Sequence, residues 1–165
     1  MTTQASQQVA ASNRPKVKQI DPRGPRFGAA ITTVVLALIL VLGPASPIAA
    51  VLLTIQILAF AAGSIFGLQA QPYGWIYRTF VRPRFGPPSE LEDQAPPRFA
   101  QAVGLVFGLV GAAGLLLGLD VLFYVAIGMA LAAAFLNAAF NFCLGCEMYL
   151  LFTRIGVGRK PLTQS

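Results

Sequence analysis

The stretch FAQAVGLVFGLVGAAGLLLGLDVLFYVAIGMALAAAFLNAAFNFCLGC, Phe99 to Cys146, contains a single charged side chain, Asp120. As one helix rising about 1.5 Å per residue, it would far exceed a hydrocarbon core of about 30 Å. It must cross, turn and cross back. The turn is Gly118-Leu119-Asp120, because glycine ends a helix and aspartate caps the next. One span is then Phe99–Leu117. The next starts at Val121 and reaches the opposite boundary close to Phe142, after about 20 residues. Cys143 and Cys146 fall at the membrane surface rather than at mid-depth.

Working towards the amino end, two more apolar segments emerge. Phe27 to about Leu42 stops at Gly43-Pro44-Ala45-Ser46-Pro47, where two prolines forbid a continuous helix. Ile48 to about Ala70 follows. The predicted fold is an all-α membrane protein of four transmembrane helices arranged as two hairpins. The composition agrees: 56% of residues are hydrophobic and 11% charged, against about 25% charged in a soluble domain. The predicted organisation is a disordered cytoplasmic tail over residues 1–26, a four-helix transmembrane domain over 27–153 and a second cytoplasmic tail over 154–165. The first 26 residues are polar and lack periodicity. They make too long a lead for a signal peptide, so no cleavage is expected.

Orientation follows from Lys and Arg. Arg14, Lys16, Lys18, Arg23 and Arg26 precede the first span; Arg78, Arg82, Arg84 and Arg98 separate the second and third; Arg154, Arg159 and Lys160 follow the fourth. The two remaining turns hold neither residue type. Cytoplasmic loops collect positive charge, so a multi-pass cell-membrane protein with both termini and the central loop in the cytoplasm is expected. The net charge of +6 therefore serves lipid head groups, not nucleic acid. In the central loop, Tyr73, Trp75, Tyr77, Phe80 and Phe85 alternate with Arg78, Arg82 and Arg84. That mixture predicts an interfacial segment, with a Pro-rich acidic stretch after it.

Two further patterns concern packing. Asp21-Pro-Arg-Gly-Pro-Arg26-Phe27 and Asp93-Gln-Ala-Pro-Pro-Arg98-Phe99 open the two hairpins with the same spacing from Asp to Pro-Arg-Phe, which suggests duplication. Gly104/Gly108 and Gly114/Gly118 fit the small-xxx-small pattern that lets backbones approach. Asn137 and Asn141 are expected to hydrogen-bond a neighbouring helix.

The candidate chemistry lies in Cys143-Leu144-Gly145-Cys146, the only cysteines of the chain, followed by Glu147. C-x-x-C spacing brings two sulfurs together. A reversible dithiol is one reading: one thiolate attacks a disulfide or persulfide and the other cysteine resolves the intermediate. Glu147 would disfavour the thiolate or carry its proton, and Arg154 would favour it. A metal site is a second reading, but histidine is absent, so two sulfurs and Glu147 would need a second subunit. Small packing residues in a crowded helix end are the third. No bound cofactor or metal is expected. Asp120 reads as a helix cap rather than an ion port.

Residues 21–30 (DPRGPRFGAA), 97–104 (PRFAQAVG) and 142–149 (FCLGCEMY) together resemble a family of small bacterial membrane proteins, frequent in actinobacteria and known as a domain of unknown function. The resemblance covers roughly residues 20–155, and the Phe-Cys-Leu-Gly-Cys ending is its most specific part. It implies a four-helix protein with thioredoxin-like or sulfurtransferase neighbours, hence thiol or sulfur chemistry at Cys143 and Cys146. The reading is a membrane thiol/disulfide or sulfur-relay module, with Cys143, Cys146 and Glu147 as its site residues. Expected partners are the lipid bilayer, a thioredoxin-like or sulfurtransferase protein and a second copy of the chain. The alternative is a non-catalytic scaffold or accessory subunit of a membrane complex.

Overall fold

The computed structural model describes residues 19–86, 88 and 91–155. Four helices within it are long and apolar enough to cross a membrane: α1 (Arg23–Leu42), α2 (Pro47–Ile65), α5 (Ala95–Leu117) and α6 (Asp120–Phe140). Between α2 and α5 lie α3 (Pro72–Ile76), a π-helical turn (Tyr77–Val81) and α4 (Arg82–Phe85). After α6 comes α7 (Leu144–Ile155). Gln19–Ile20 (β1) and Glu92–Asp93 (β2) add a two-residue antiparallel ladder.

The helix boundaries follow local chemistry. α1 stops at Gly43, whose φ of 74° suits a residue without Cβ. Ser46 caps α2 by accepting from the Ala49 N–H at 3.5 Å, and Pro47 takes the first helical position. α5 ends at Gly118 in the left-handed conformation, as its sequence predicts. The expected aspartate cap of the next helix is not formed. Leu119 occupies the capping position and no side chain bonds there. Asp120 instead sits in the first turn, where its charge favours the helix N-terminus.

Four boundaries differ from expectation by two residues or more, one of them the start of α5 at Ala95 rather than Phe99. α1 begins at Arg23 rather than Phe27, because Asp21 Oδ1 accepts from the Arg23 N–H at 3.0 Å and starts the helix early. α2 ends at Ile65, not Ala70, so Leu68 to Gln71 turn back towards the bundle. α6 ends at Phe140, with Asn141 left-handed at φ 56°. The expected unstructured lead falls on residues 1–18, outside the described residues; residues 19–26 form β1 and the start of α1. Of the expected tail over 154–165, residues 154 and 155 complete α7 and the rest lie outside the described residues.

The spanning helices pack as a ring in the order α1, α2, α5, α6, and the ring closes because α6 packs on α1. Leu36, Ile39, Leu53, Phe123 and Ile127 form the core. Glycines on α5 set its closeness to both neighbours. A Cβ at Gly104 would lie 2.8 Å from the Phe60 ring of α2, and one at Gly114 would lie 2.7 Å from the Phe123 backbone nitrogen of α6. Outward faces stay apolar, with Val34, Val51, Val106 and Met129 each more than half exposed. In water such faces would be a liability, and in lipid they are the required solvent.

The two hairpins repeat each other. Arg26 Nε donates to the Ala138 carbonyl at the end of α6 (3.1 Å). Arg98 donates to the Ser64 and Ile65 carbonyls at the end of α2 (2.9 Å each). Each hairpin's opening arginine thus caps the returning helix of the other hairpin, satisfying carbonyls that lack a helical partner. Phe27 packs on Tyr77 and Phe99 on Tyr149, both with ring centroids 5.8 Å apart and with the same separation along the chain. The Asp93 carboxylate accepts from the Ala95 N–H at 2.9 Å, as Asp21 does from Arg23. The Pro-Arg-Phe repeat is a repeat of structure as well as of sequence.

Arg98→Ala should lower stability by about 1.5–3 kcal/mol, the range for hydrogen bonds to a charged group, read by denaturant titration in detergent. An unchanged midpoint would mean that the crossed capping contributes nothing. Tyr77 offers a second check. Its phenol is buried and donates to Asp21 Oδ2 at 2.9 Å. Burial first, then Asp21, pushes its pKa up to about 12. The folded state therefore favours the neutral phenol: this stability is complete below pH 10 and is lost as pH rises from 10 towards 12. Tyr77→Phe should remove that alkaline step from a pH series of melting temperatures.

Candidate disulfide and cavity at the arginine-bearing end

The β1–β2 ladder, the arginine caps and the two aromatic pairs bring the described arginines to one end of the bundle. The turns at 43–46 and 118–119 form the other end, where Gly43 meets Tyr124 of α6. The cysteines belong to the arginine-bearing end. Asn141 and Phe142 break the chain after α6. The N–H of Asn141 returns to the Asn137 carbonyl at 3.1 Å, and that of Phe142 to Leu136 at 3.2 Å. Asn141 is thus a helix terminator, not the interhelical bridge expected of it. The chain then restarts as α7 with Cys143 at its N-terminus.

Cys143 and Cys146 are joined as a disulfide, with Cα atoms 5.2 Å apart. Both are partly exposed. The Cys146 N–H points at Cys143 Sγ, 3.3 Å away. After reduction, that N–H and the helix N-terminus would favour negative charge on Cys143. Glu147 lies in the first turn of α7 and is exposed. Its backbone N–H bonds the Cys143 carbonyl at 3.0 Å. Arg154 is at the far end of α7. Among the described residues, no three His, Cys, Asp or Glu side chains gather as a metal-binding group.

Gly145 seats α7. A Cβ there would come within 2.7 Å of the Ala100 Cα and Cβ, so α7 lies directly against the start of α5. Tyr149 and Phe152 complete the contact on Phe99, with centroids 5.8 Å and 6.2 Å away. The role of Gly145 is to let two backbones meet.

Beside the disulfide lies a cavity of about 500 Å³. Cys143 and Met148 of α7 form part of its wall, with Gln101 and Gly104 of α5, Asn137 of α6 and Thr32 of α1. Alanines at 130, 133 and 134 of α6 face it, and their short side chains leave it open. Val106 and Met129 also line it, although both are more than half exposed on the bundle's outside. The cavity therefore reaches the lipid side between α5 and α6. Neither Gln101 nor the cavity was visible in the sequence reading.

The repeat explains why space is left here. By the offset that matches Phe27–Tyr77 to Phe99–Tyr149, Tyr73 occupies in the first half the position that Gly145 occupies in the second. Tyr73 is buried against Gly28 of α1, and its hydroxyl donates to Gln56 Oε1 at 2.8 Å. Gln56 in turn donates to Thr32 Oγ1 at 3.4 Å. Burial pushes the Tyr73 phenol up from its usual pKa. One half is plugged by an aromatic ring; the other has a glycine and a void.

Gly145→Ala should separate α7 from α5 at a cost of about 1–3 kcal/mol, typical of overpacking. Once reduced, its cysteines should alkylate faster than those of the unaltered protein. Identical melting and alkylation would refute the close seating.

A family described as a domain of unknown function, DUF4395, matches residues 20–154. No curated protein and no solved structure matches the chain.

Proposed function

The chain belongs to the DUF4395 family, and we propose that it is a membrane-embedded thiol–disulfide module whose working pair is Cys143 and Cys146. The observation that carries this reading is the bonded, partly exposed pair at the N-terminus of α7. A helix N-terminus stabilises a thiolate, which is the attacking or leaving form in exchange. Direct bonding between the sulfurs favours disulfide cycling over carriage of sulfane sulfur. Cys143 is the thiolate-forming member and Cys146 its resolving partner; Glu147, exposed one residue later, is a proton carrier for exchange.

The arginine-bearing end faces the cytosol in this proposal, by the charge rule for loops. Cytosolic thiols are kept reduced, and disulfides there are mostly catalytic or redox-sensing. A disulfide on that face is thus one that turns over. The soluble partner is a thioredoxin-like protein. Its thiolate attacks one sulfur, the Cys143–Cys146 bond opens as a mixed disulfide forms and the other cysteine leaves as a thiol, and the partner's second thiol then attacks the mixed disulfide and displaces the cysteine still bound in it. The partner leaves oxidised and the pair leaves as a dithiol.

Differential alkylation before and after addition of reduced thioredoxin should show both cysteines passing from blocked to labelled, in vesicles with the arginine-bearing face outward. Labelling that never changes would sink the proposal. It would favour the scaffold reading, in which a Cys143→Ser, Cys146→Ser double variant keeps full activity in cells.

A further inference from the structure

A cysteine pair that cycles needs a second redox partner, and the cavity beside it opens towards lipid between α5 and α6. We infer that this cavity binds a lipid-soluble quinone, which takes electrons from the reduced Cys143–Cys146 pair. The inference rests on the thiol–disulfide reading and supplies its missing oxidant.

Four observations select that occupant. First, Cys143 is part of the cavity wall, so a ring seated there lies beside a member of the disulfide. A phospholipid acyl chain would gain nothing from that neighbour. Second, the volume of about 500 Å³ falls within the usual range for small-molecule sites, about 300–1,000 Å³. It suits a substituted ring with the first part of an isoprenoid tail. Third, the exposed lining residues Val106 and Met129 mark a lateral opening through which the rest of the tail can lie in the bilayer. Fourth, two amides interrupt otherwise apolar walls. Gln101 Oε1 accepts from Gln71 Nε2 at 3.0 Å, which leaves its own NH₂ free to donate to a carbonyl. Among the described residues, the Asn137 side-chain amide makes no hydrogen bond to protein. Both residues line the cavity, and a side-chain amide can donate to a quinone carbonyl.

The chemistry balances without a further reagent. Both S–H bonds break and one S–S bond forms, releasing two electrons and two protons. The quinone accepts both electrons and both protons and leaves as the hydroquinone, with two new O–H bonds. The proposed route is attack of the Cys143 thiolate on the ring, then attack of Cys146 on Cys143 Sγ. The second attack breaks the transient carbon–sulfur bond and restores the disulfide.

The test uses the full chain in nanodiscs of quinone-free phosphatidylcholine and phosphatidylglycerol, with a decyl-tailed benzoquinone as probe. Pre-reduced protein should convert one equivalent of probe to hydroquinone, followed by absorbance, while one pair of thiols becomes unreactive to alkylation. The Cys143→Ser, Cys146→Ser double variant should bind the probe in a titration but not reduce it. Ala133→Phe, which fills the cavity from α6, should weaken binding and slow conversion at least tenfold, yet still exchange with thioredoxin. Conversion at equal rates in Ala133→Phe and the unaltered protein would overturn the inference, because the reaction would then bypass the cavity. Absence of probe binding to the double variant, with thioredoxin exchange intact in the unaltered protein, would overturn it while sparing the thiol reading. Cysteines inert to thioredoxin and quinone alike would overturn both.

Discussion

The two hairpins are tied by a reciprocal exchange of arginines. In a bilayer, the last carbonyls of a helix have no water to satisfy them at depth, and an unpaired one costs several kcal/mol. Arg26 reaches the end of α6, and Arg98 the end of α2. Each hairpin therefore completes a helix that belongs to the other. The exchange fixes relative depth, since sliding either hairpin by a turn would strand both sets of carbonyls. It also draws the start of α1 and the start of α5 to the same end, which lets Gln19–Ile20 pair with Glu92–Asp93.

Against that near-symmetric frame, the differences between halves become informative. The first half spends its position beside the opening helix on Tyr73, whose ring and hydroxyl enter a buried chain through Gln56 to Thr32. The second half has Gly145 there, and at the position matching Gln71 it has Cys143. The ring of the first half has no counterpart beside the cavity, whose wall holds Gly145 and the short side chains of Ala130, Ala133 and Ala134. The halves thereby differ in kind: the plugged half carries a buried hydrogen-bonded chain, and the open half holds the disulfide.

Much of this architecture was legible in the residues. The turn at Gly118, the break at Gly43 to Pro47 and the segregation of arginines each rest on strong local rules, and the structure agrees with them. Boundaries slipped where a single capping contact or backbone conformation decided them. The start at Arg23 rests on Asp21, two residues before it, and the ladder with Glu92–Asp93 holds the segment ahead of it. α7 was hidden for a different reason. Between Val121 and Phe152 the one charged residue is Glu147, and the break depends on Asn141 adopting a left-handed conformation that asparagine tolerates but does not announce. The cysteine pair was readable as a motif. The cavity was not, because a void is a property of three helices at once and of alanines that look like ordinary span residues.

The bend at Asn141 has a kinetic corollary. α7 carries Cys146 near its start and exposed Leu150, Leu151, Phe152 and Ile155 further on, with Arg154 among them. Such a helix floats at the boundary, with its greasy side in acyl chains and its cation among phosphates. In the proposed cycle the sulfurs stay at one altitude and are met from two media of different dimensionality. A water-borne molecule must find them by a volume search and a lipid-borne one by a planar search, so the rates on the two sides scale with unlike concentrations, one per litre and one per unit of membrane area.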